Sequence, residues 1–205
     1  ARSLSVEVWA KTSTTPAANT GHFLFDTTSV STGTLGWFLD LWSDGFAYFD
    51  VVYGLTPAEY FSAKVAFPVD GAWHHLVAVL NRETGTLRVW CDGSPGPAIT
   101  GIPVGVALPY PDDALLQIGQ VNSAINPAFK GFNGSLDAIA FYPRALSPTE
   151  IQQHYRPDPY ADLVVRVGAN VQAGQEVVLI YEVEHVPIAR AVARAALRAG
   201  ARRIH

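Results

Sequence analysis

Methionine is absent and cysteine occurs once, at Cys91, in a chain of 205 residues. A lone thiol cannot close an internal disulfide, so no disulfide framework organises the fold, and cysteine leaves the redox compartment undecided. Cys91 sits in an alternating strand pattern, where a free cysteine packs as a small hydrophobe. Charge is sparse as well: charged residues make up 16% of the chain and the formal net charge is -4. No Lys/Arg cluster occurs in the first 150 residues, which removes the electrostatic footprint of a nucleic-acid binder. No run of about eighteen apolar residues is present, so no membrane span is expected. The first residues lack the charged and apolar regions of a secretion signal. With no methionine to open it, the chain is expected to be a piece of something longer.

Apolar residues reach 49%, with 11% aromatics, 17 Gly and 14 Pro. That balance describes a compact, β-rich globule of two units at most. From Ser3 to about Tyr142 short strands alternate with turns, as in Leu4-Ser5-Val6-Glu7-Val8-Trp9 and Leu87-Arg88-Val89-Trp90-Cys91. These are expected to be half-buried strands. Asp-Gly pairs at 44-45, 70-71 and 92-93, with Thr84-Gly85, supply tight antiparallel turns. Many strands without intervening helices predict an all-β, two-sheet antiparallel sandwich or jelly roll.

Ser147-Pro148-Thr149-Glu150 forms a capping box and opens the first helix, ending near Tyr155. Arg156-Pro157-Asp158-Pro159 breaks it and reads as a linker, dividing the chain into 1-156 and 157-205. The second part predicts a helix over Tyr160 to Gly168, a strand over Glu176 to Val183 and an Ala-rich helix from Pro187 to Ala199. One strand cannot cover both its faces, so this appendage is expected to pack on the sandwich or on another chain. Arg190, Arg194, Arg198, Arg202 and Arg203 recur at near-helical spacing and are expected to form a solvated face.

Trp73-His74-His75-Leu76-Val77-Ala78-Val79 followed by Thr84-Gly85 through Trp90-Cys91-Asp92-Gly93 resembles the central hairpin of laminin G-like, concanavalin A-like domains. Phe132-Asn133-Gly134-Ser135-Leu136-Asp137-Ala138-Ile139-Ala140-Phe141-Tyr142, leading into Arg144-Ala145-Leu146-Ser147, is similar to the closing strand and terminal helix of that family. The resemblance covers about residues 3 to 156. It implies two curved sheets that recognise glycans or proteins, in an extracellular or cell- or virion-surface setting. Family members usually begin with an earlier edge strand, whereas the chain opens at Leu4; with that strand missing, an open sheet edge is expected to be covered by the tail, by another chain or by an unseen segment, a route to self-association. The tail, through Tyr160-Ala161-Asp162-Leu163, Arg166-Val167-Gly168, Gly174-Gln175-Glu176 and Ala199-Gly200-Ala201-Arg202, resembles the opening unit of thermophilic metallo-aminopeptidases of the aminopeptidase T type. The metal ligands of that family lie beyond the opening unit, so no catalytic residue is carried over.

Hydrolases of this sandwich need two facing carboxylates, and no Glu-x-Asp-x-Glu strand is present. Glu7 stands alone on its strand, and Glu182-Val183-Glu184-His185 reads as a solvated strand end. His74 and His75 point to opposite sides of one strand and cannot jointly grip a metal; one is expected to pack and the other to face solvent. Trp73 and Trp90 are expected as core or cross-strand aromatics in preference to ligand-stacking ones. The strongest binding candidate is Trp37-Phe38-Leu39-Asp40-Leu41-Trp42-Ser43-Asp44-Gly45-Phe46-Ala47-Tyr48. Alternation puts Trp37, Leu39 and Leu41 on one face and Phe38, Asp40 and Trp42 on the other. Asp40, Trp42, Asp44 and Tyr48 together offer the flat apolar contact and directed hydrogen bonds that sugars need, although core packing with polar turn residues fits the same pattern. Asp137 matches an acidic residue of the family's closing strand that sometimes helps hold Ca²⁺, which wants several oxygens, but the opening-strand aspartates that would assist it are absent. Asn133-Gly134-Ser135 matches a glycosylation acceptor.

The expectation is a non-catalytic module that binds a glycan or protein surface. A structural or assembly subunit is the alternative, and a glycan-cleaving enzyme ranks third.

Overall fold

A computed structural model describes residues 3–28, 35–54, 56, 59–106, 108, 115–121, 128–155, 159–182 and 186–205. The linker at 156–158 and the residues 183–185 of the Glu-rich strand end lie outside them. Two six-stranded sheets carry the chain up to Tyr142. The first runs β12 (Ser135–Tyr142), β1 (Leu4–Lys11), β6 (Trp73–Asn81), β7 (Thr86–Cys91), β8 (Ser94–Pro95), with β9 (Ile99–Thr100) also on β7. The second runs β10 (Gln117–Ile118), β2 (Gly21–Asp26), β3 (Gly36–Trp42), β4 (Phe46–Val52), β5 (Tyr60–Ala66), with β11 (Phe129–Gly131) parallel to β2. The all-β sandwich expected from the alternation is therefore present.

Alternate residues from both sheets meet in one core: Val6, Val8 and Ala10 of β1, Leu76, Ala78 and Leu80 of β6, Leu39 and Leu41 of β3, and Phe49 and Val51 of β4. Trp37, Leu39 and Leu41 face inward as their spacing predicts. Each Asp-Gly pair and Thr84-Gly85 makes a turn with its glycine at positive φ. Gly85 has a second constraint, because a Cβ there would lie 2.8 Å from the Ile102 carbonyl oxygen.

Two strand expectations need correction. β1 is not at an edge: it pairs with β12 on one side and β6 on the other, and β12 takes the outer place. Nor are β1 and β6 half-buried, since almost every residue of both is buried. The cause is a second layer on the outer face of this sheet. Helix α1 (Pro148–Tyr155) begins with the reciprocal box, Ser147 N–H donating to Glu150 (2.8 Å) and Glu150 N–H to Ser147 Oγ (3.3 Å). Its Ile151 is fully buried against Val77, Val79 and Trp90. Full burial of such a side chain stabilises by about 1.5–3 kcal/mol.

Beyond α1 come α2 (Pro159–Leu163), a wide π-helical turn (Val164–Gly168), β13 (Glu176–Val177), α3 (Val186–Arg198) and β14 (Arg203–Ile204), with β13 and β14 parallel. Ala161, Val165, Ala191, Ala195 and Ala196 form their small core. The strand predicted over Glu176 to Val183 shrinks to two residues, because β14 offers only two partners; Leu179 N–H still reaches the His205 carbonyl (2.9 Å). The tail rests on the first sheet: Leu197 packs with Trp9 and Trp73, and Trp73 Nε1–H donates to the Ala201 carbonyl (2.9 Å).

Candidate functional site

The two outer faces differ, and the second sheet keeps the accessible one. Register places Asp40 opposite Tyr48 and Tyr48 opposite Lys64, so one row crosses β3, β4 and β5. At the turn end of the hairpin stand Trp42 and Phe46, with Asp44 exposed between them. Tyr48 Oη donates to Asp44 Oδ2 (2.6 Å), and Lys64 Nζ donates to Tyr48 Oη (3.0 Å). The ammonium of Lys64 lies 4.2 Å from the Phe46 ring centroid and 3.7 Å from Asp44. A solvent-exposed ion pair of this kind adds little to stability and is free to meet a ligand. Burial and the bond to Asp44 push the Tyr48 phenol up, which keeps it a donor.

Asp40 sits beneath this surface with no exposed area, and its Oδ2 accepts from Trp42 Nε1–H (2.6 Å). It therefore positions the indole instead of meeting solvent itself. Gly21 allows that arrangement, since a Cβ would stand 3.0 Å from Asp40 Oδ2 and 3.1 Å from the indole. Burial and the nearby Asp50 charge raise the Asp40 carboxyl well above the usual range; burial pushes Asp50 up to about 7. Phe38 is covered too, by Phe23, with Leu35, Val121 and Phe129 around them, so alternation found the face but not this local cap.

The opposite outer face is covered by α1 and the tail, apart from one cleft against β12. Glu7 is 4% exposed and takes three donors: His75 Nε2 at 3.0 Å, His154 Nδ1 at 2.9 Å and Tyr142 Oη at 2.7 Å. Burial opposes ionisation, yet these bonds hold the Glu7 carboxyl far below its usual range. Glu7 is thus not alone, and the expected solvent-facing histidine does not exist. His74 and His75 do point opposite ways, but both are buried. His74 bridges Asp92 (2.7 Å) and Asp70 (3.0 Å), and His75 stacks on Tyr155. No spacing rule links Glu7 to His154, which arrive from opposite ends of the sandwich sequence.

Asp137 lies beside a bulge in the β1–β12 pairing, its Oδ1 accepting from Ala138 N–H (2.6 Å). It lines a cleft shared with Arg190 and Arg194. Ca²⁺ needs several free oxygens, whereas of the carboxylates that share clefts with Asp137, Glu7 already has its donors and Glu176 pairs with Arg202, and Arg190 and Arg194 line the space beside Glu7. The residues at Asp137 do not fit calcium. Among the described residues His74, Cys91 and Asp92 bring ligand-type atoms within 4.8 Å of one another. His74 gives both nitrogens to carboxylates, and burial drives the Cys91 thiol strongly upward.

The arginines correct another expectation. Arg194 and Arg198 are half-buried, Arg198 pairing with Asp162 at 3.3 Å, so α3 turns part of its basic face towards the protein. No helix of the described residues is long and apolar enough to cross a membrane.

A sequence profile of the concanavalin A-like lectin/glucanases superfamily matches residues 1–152, and one of thermophilic metalloproteases (M29) matches residues 155–205. Human adhesion G protein-coupled receptor D2 is 29% identical over 91 residues, covering 43% of this chain and 9% of the receptor. The rat sushi, von Willebrand factor type A, EGF and pentraxin domain-containing protein 1 is 32% identical over 87 residues, 40% of this chain and 2% of that protein. The chain thus spans under a tenth of these relatives. Among solved structures, the binding domain of botulinum neurotoxin DC in complex with rat synaptotagmin II superposes with a TM-score of 0.52 at 13% identity, over 75% of this chain and 35% of that one. A heptameric SAP-like pentraxin from Limulus polyphemus gives 0.53 at 19%, over 77% and 71%.

Proposed function

Because the chain belongs to the concanavalin A-like lectin/glucanase superfamily and carries a laminin G-like, lectin-type recognition domain, we propose that it acts without catalysis, by binding glycans on the outer face of its second sheet. One observation carries this reading: the half-exposed aromatics Trp42, Phe46 and Tyr48 share that face with Asp44 and Lys64. Ring faces take the apolar side of a sugar, and the carboxylate, phenol and ammonium direct its hydroxyls. Asp40 takes no part in contact; it fixes the indole that does. Cell entry of botulinum neurotoxin type C, a toxin with a domain of similar fold, is described as dependent upon interaction with two ganglioside molecules, which supports glycans as the ligand class. An extracellular or surface location follows from the same reading, with residues 157–205 as an appendage seated on the sandwich. No peptidase step is assigned to that appendage, and no calcium-dependent step to Asp137.

A glycan array probed with the whole protein tests the proposal. Binding to a defined set of glycans that falls at least tenfold in Trp42→Ala and in Asp44→Ala is expected. Unchanged binding in both variants, or no binding by the parent protein, contradicts it.

Assembly is the second reading, favoured by Ile180, 93% exposed beside exposed Val178 and Tyr181. Sedimentation should then give an oligomer that Ile180→Lys converts to monomer; a monomer at all concentrations removes this reading.

A further inference from the structure

Between β12 and α3 lies a cleft of about 200 Å³, separate from the aromatic face, with Ile139, Leu179 and Ile204 among its apolar walls. Arg190 and Arg194 line it one helical turn apart. Among the described residues neither makes a hydrogen bond or ion pair, although Arg194 is half-buried and Arg144, Arg198 and Arg202 all have carboxylate partners. Glu7 borders the same space, but three donors already hold its oxygens. The Glu7 charge favours the Arg194 guanidinium across this space, yet no oxygen of the described residues is hydrogen-bonded to it, so its N–H groups are left to an acceptor that enters the cleft.

We infer that this cleft binds a small carboxylate whose body is apolar, with Arg194 and Arg190 holding the carboxylate and the aliphatic walls taking the body. Planar guanidinium groups match a carboxylate in bidentate fashion. A dianion such as phosphate suits the cleft less well, since Glu7 and Asp137 also line it and repel a second negative charge. The volume is below the roughly 300–1,000 Å³ of sites for drug-sized ligands, so the occupant is amino-acid-sized, the carboxyl terminus of a peptide or a short fatty acid.

Calorimetric titration of the whole protein with N-acetyl-leucine, octanoate, N-acetyl-leucinamide and inorganic phosphate tests this. At least one of the two carboxylates should bind, and at least tenfold more tightly than the amide or phosphate. The loss should be at least tenfold in Arg190→Ala, an exposed position that leaves the fold intact, and likewise in Arg194→Ala. Ala193→Phe, which fills the cleft, should abolish binding. The tighter of the two carboxylates then identifies the source as peptide termini or fatty acids. Absence of binding, equal binding of the amide or phosphate, or indifference to Arg190→Ala and Ala193→Phe overturns the inference.

Discussion

The two sheets of the sandwich have similar inner faces and opposite outer ones. Over the first sheet, α1 and the tail seal Trp9, Trp73, Val77 and Val79, and even the charged Glu7 is enclosed by its donors. Over the second, aromatic side chains stop half-exposed beside Asp44 and Lys64. Polar groups thus have different duties on the two faces. On the covered face Glu7, His75, His154 and Tyr142 are bonded to one another out of solvent; on the accessible face Asp44, Tyr48 and Lys64 are bonded to one another beside half-exposed rings, where a ligand can reach them.

Breaking the covered face should have the largest effect. Glu7→Ala leaves His75, His154 and Tyr142 without their shared acceptor and should destabilise the protein by about 3–5 kcal/mol, read as a fall in the urea midpoint. Leu197→Ala opens the seam between tail and first sheet; a loss of about 2–4 kcal/mol is expected, with protease cleavage near residue 157 accelerated. Either variant should leave glycan binding by the folded fraction intact, which sharpens the contrast between the faces.

Smaller effects, one in each sheet, depend on pH. The Asp50 carboxyl has its folded pKa raised to about 7 by burial, from 3.8. Its contribution is fully present below 3.8 and is lost as pH rises through about 7. Asp50→Asn should therefore raise the melting temperature more at pH 8 than at pH 5; the reverse order would mean the carboxylate is stabilised where it lies. His74, raised chiefly by its bond to Asp92, also contributes most below its unfolded value of 6.5 and loses that contribution as pH rises through the higher folded value. His74→Gln should accordingly flatten the decline in stability above neutrality, measured by denaturation at a series of pH values.

Much of the fold was legible because strand alternation and glycine turns are local signals: Leu39 and Leu41 of β3 declared their inner face, and Asp92-Gly93 its turn. The capping box at Ser147 was equally local. What could not be read depended on distant segments. β1 and β6 looked half-buried because the helices that cover them come 140 or more residues after β1 starts at Leu4. Asp40 looked available because nothing in its neighbourhood announces that Trp42 will fold over it and that Gly21 will leave room. Arg194 looked solvated because helical spacing gives the stripe but not which side meets β12.

The indole N–H signals distinguish the faces directly, since Trp42 reports on the second sheet while Trp9 and Trp73 lie under the tail. In a titration of the ¹⁵N-labelled protein with oligosaccharides selected on the array, the account predicts that the Trp42 indole resonance moves while those of Trp9 and Trp73 stay in place. Movement of the Trp9 and Trp73 signals with Trp42 unchanged would contradict it.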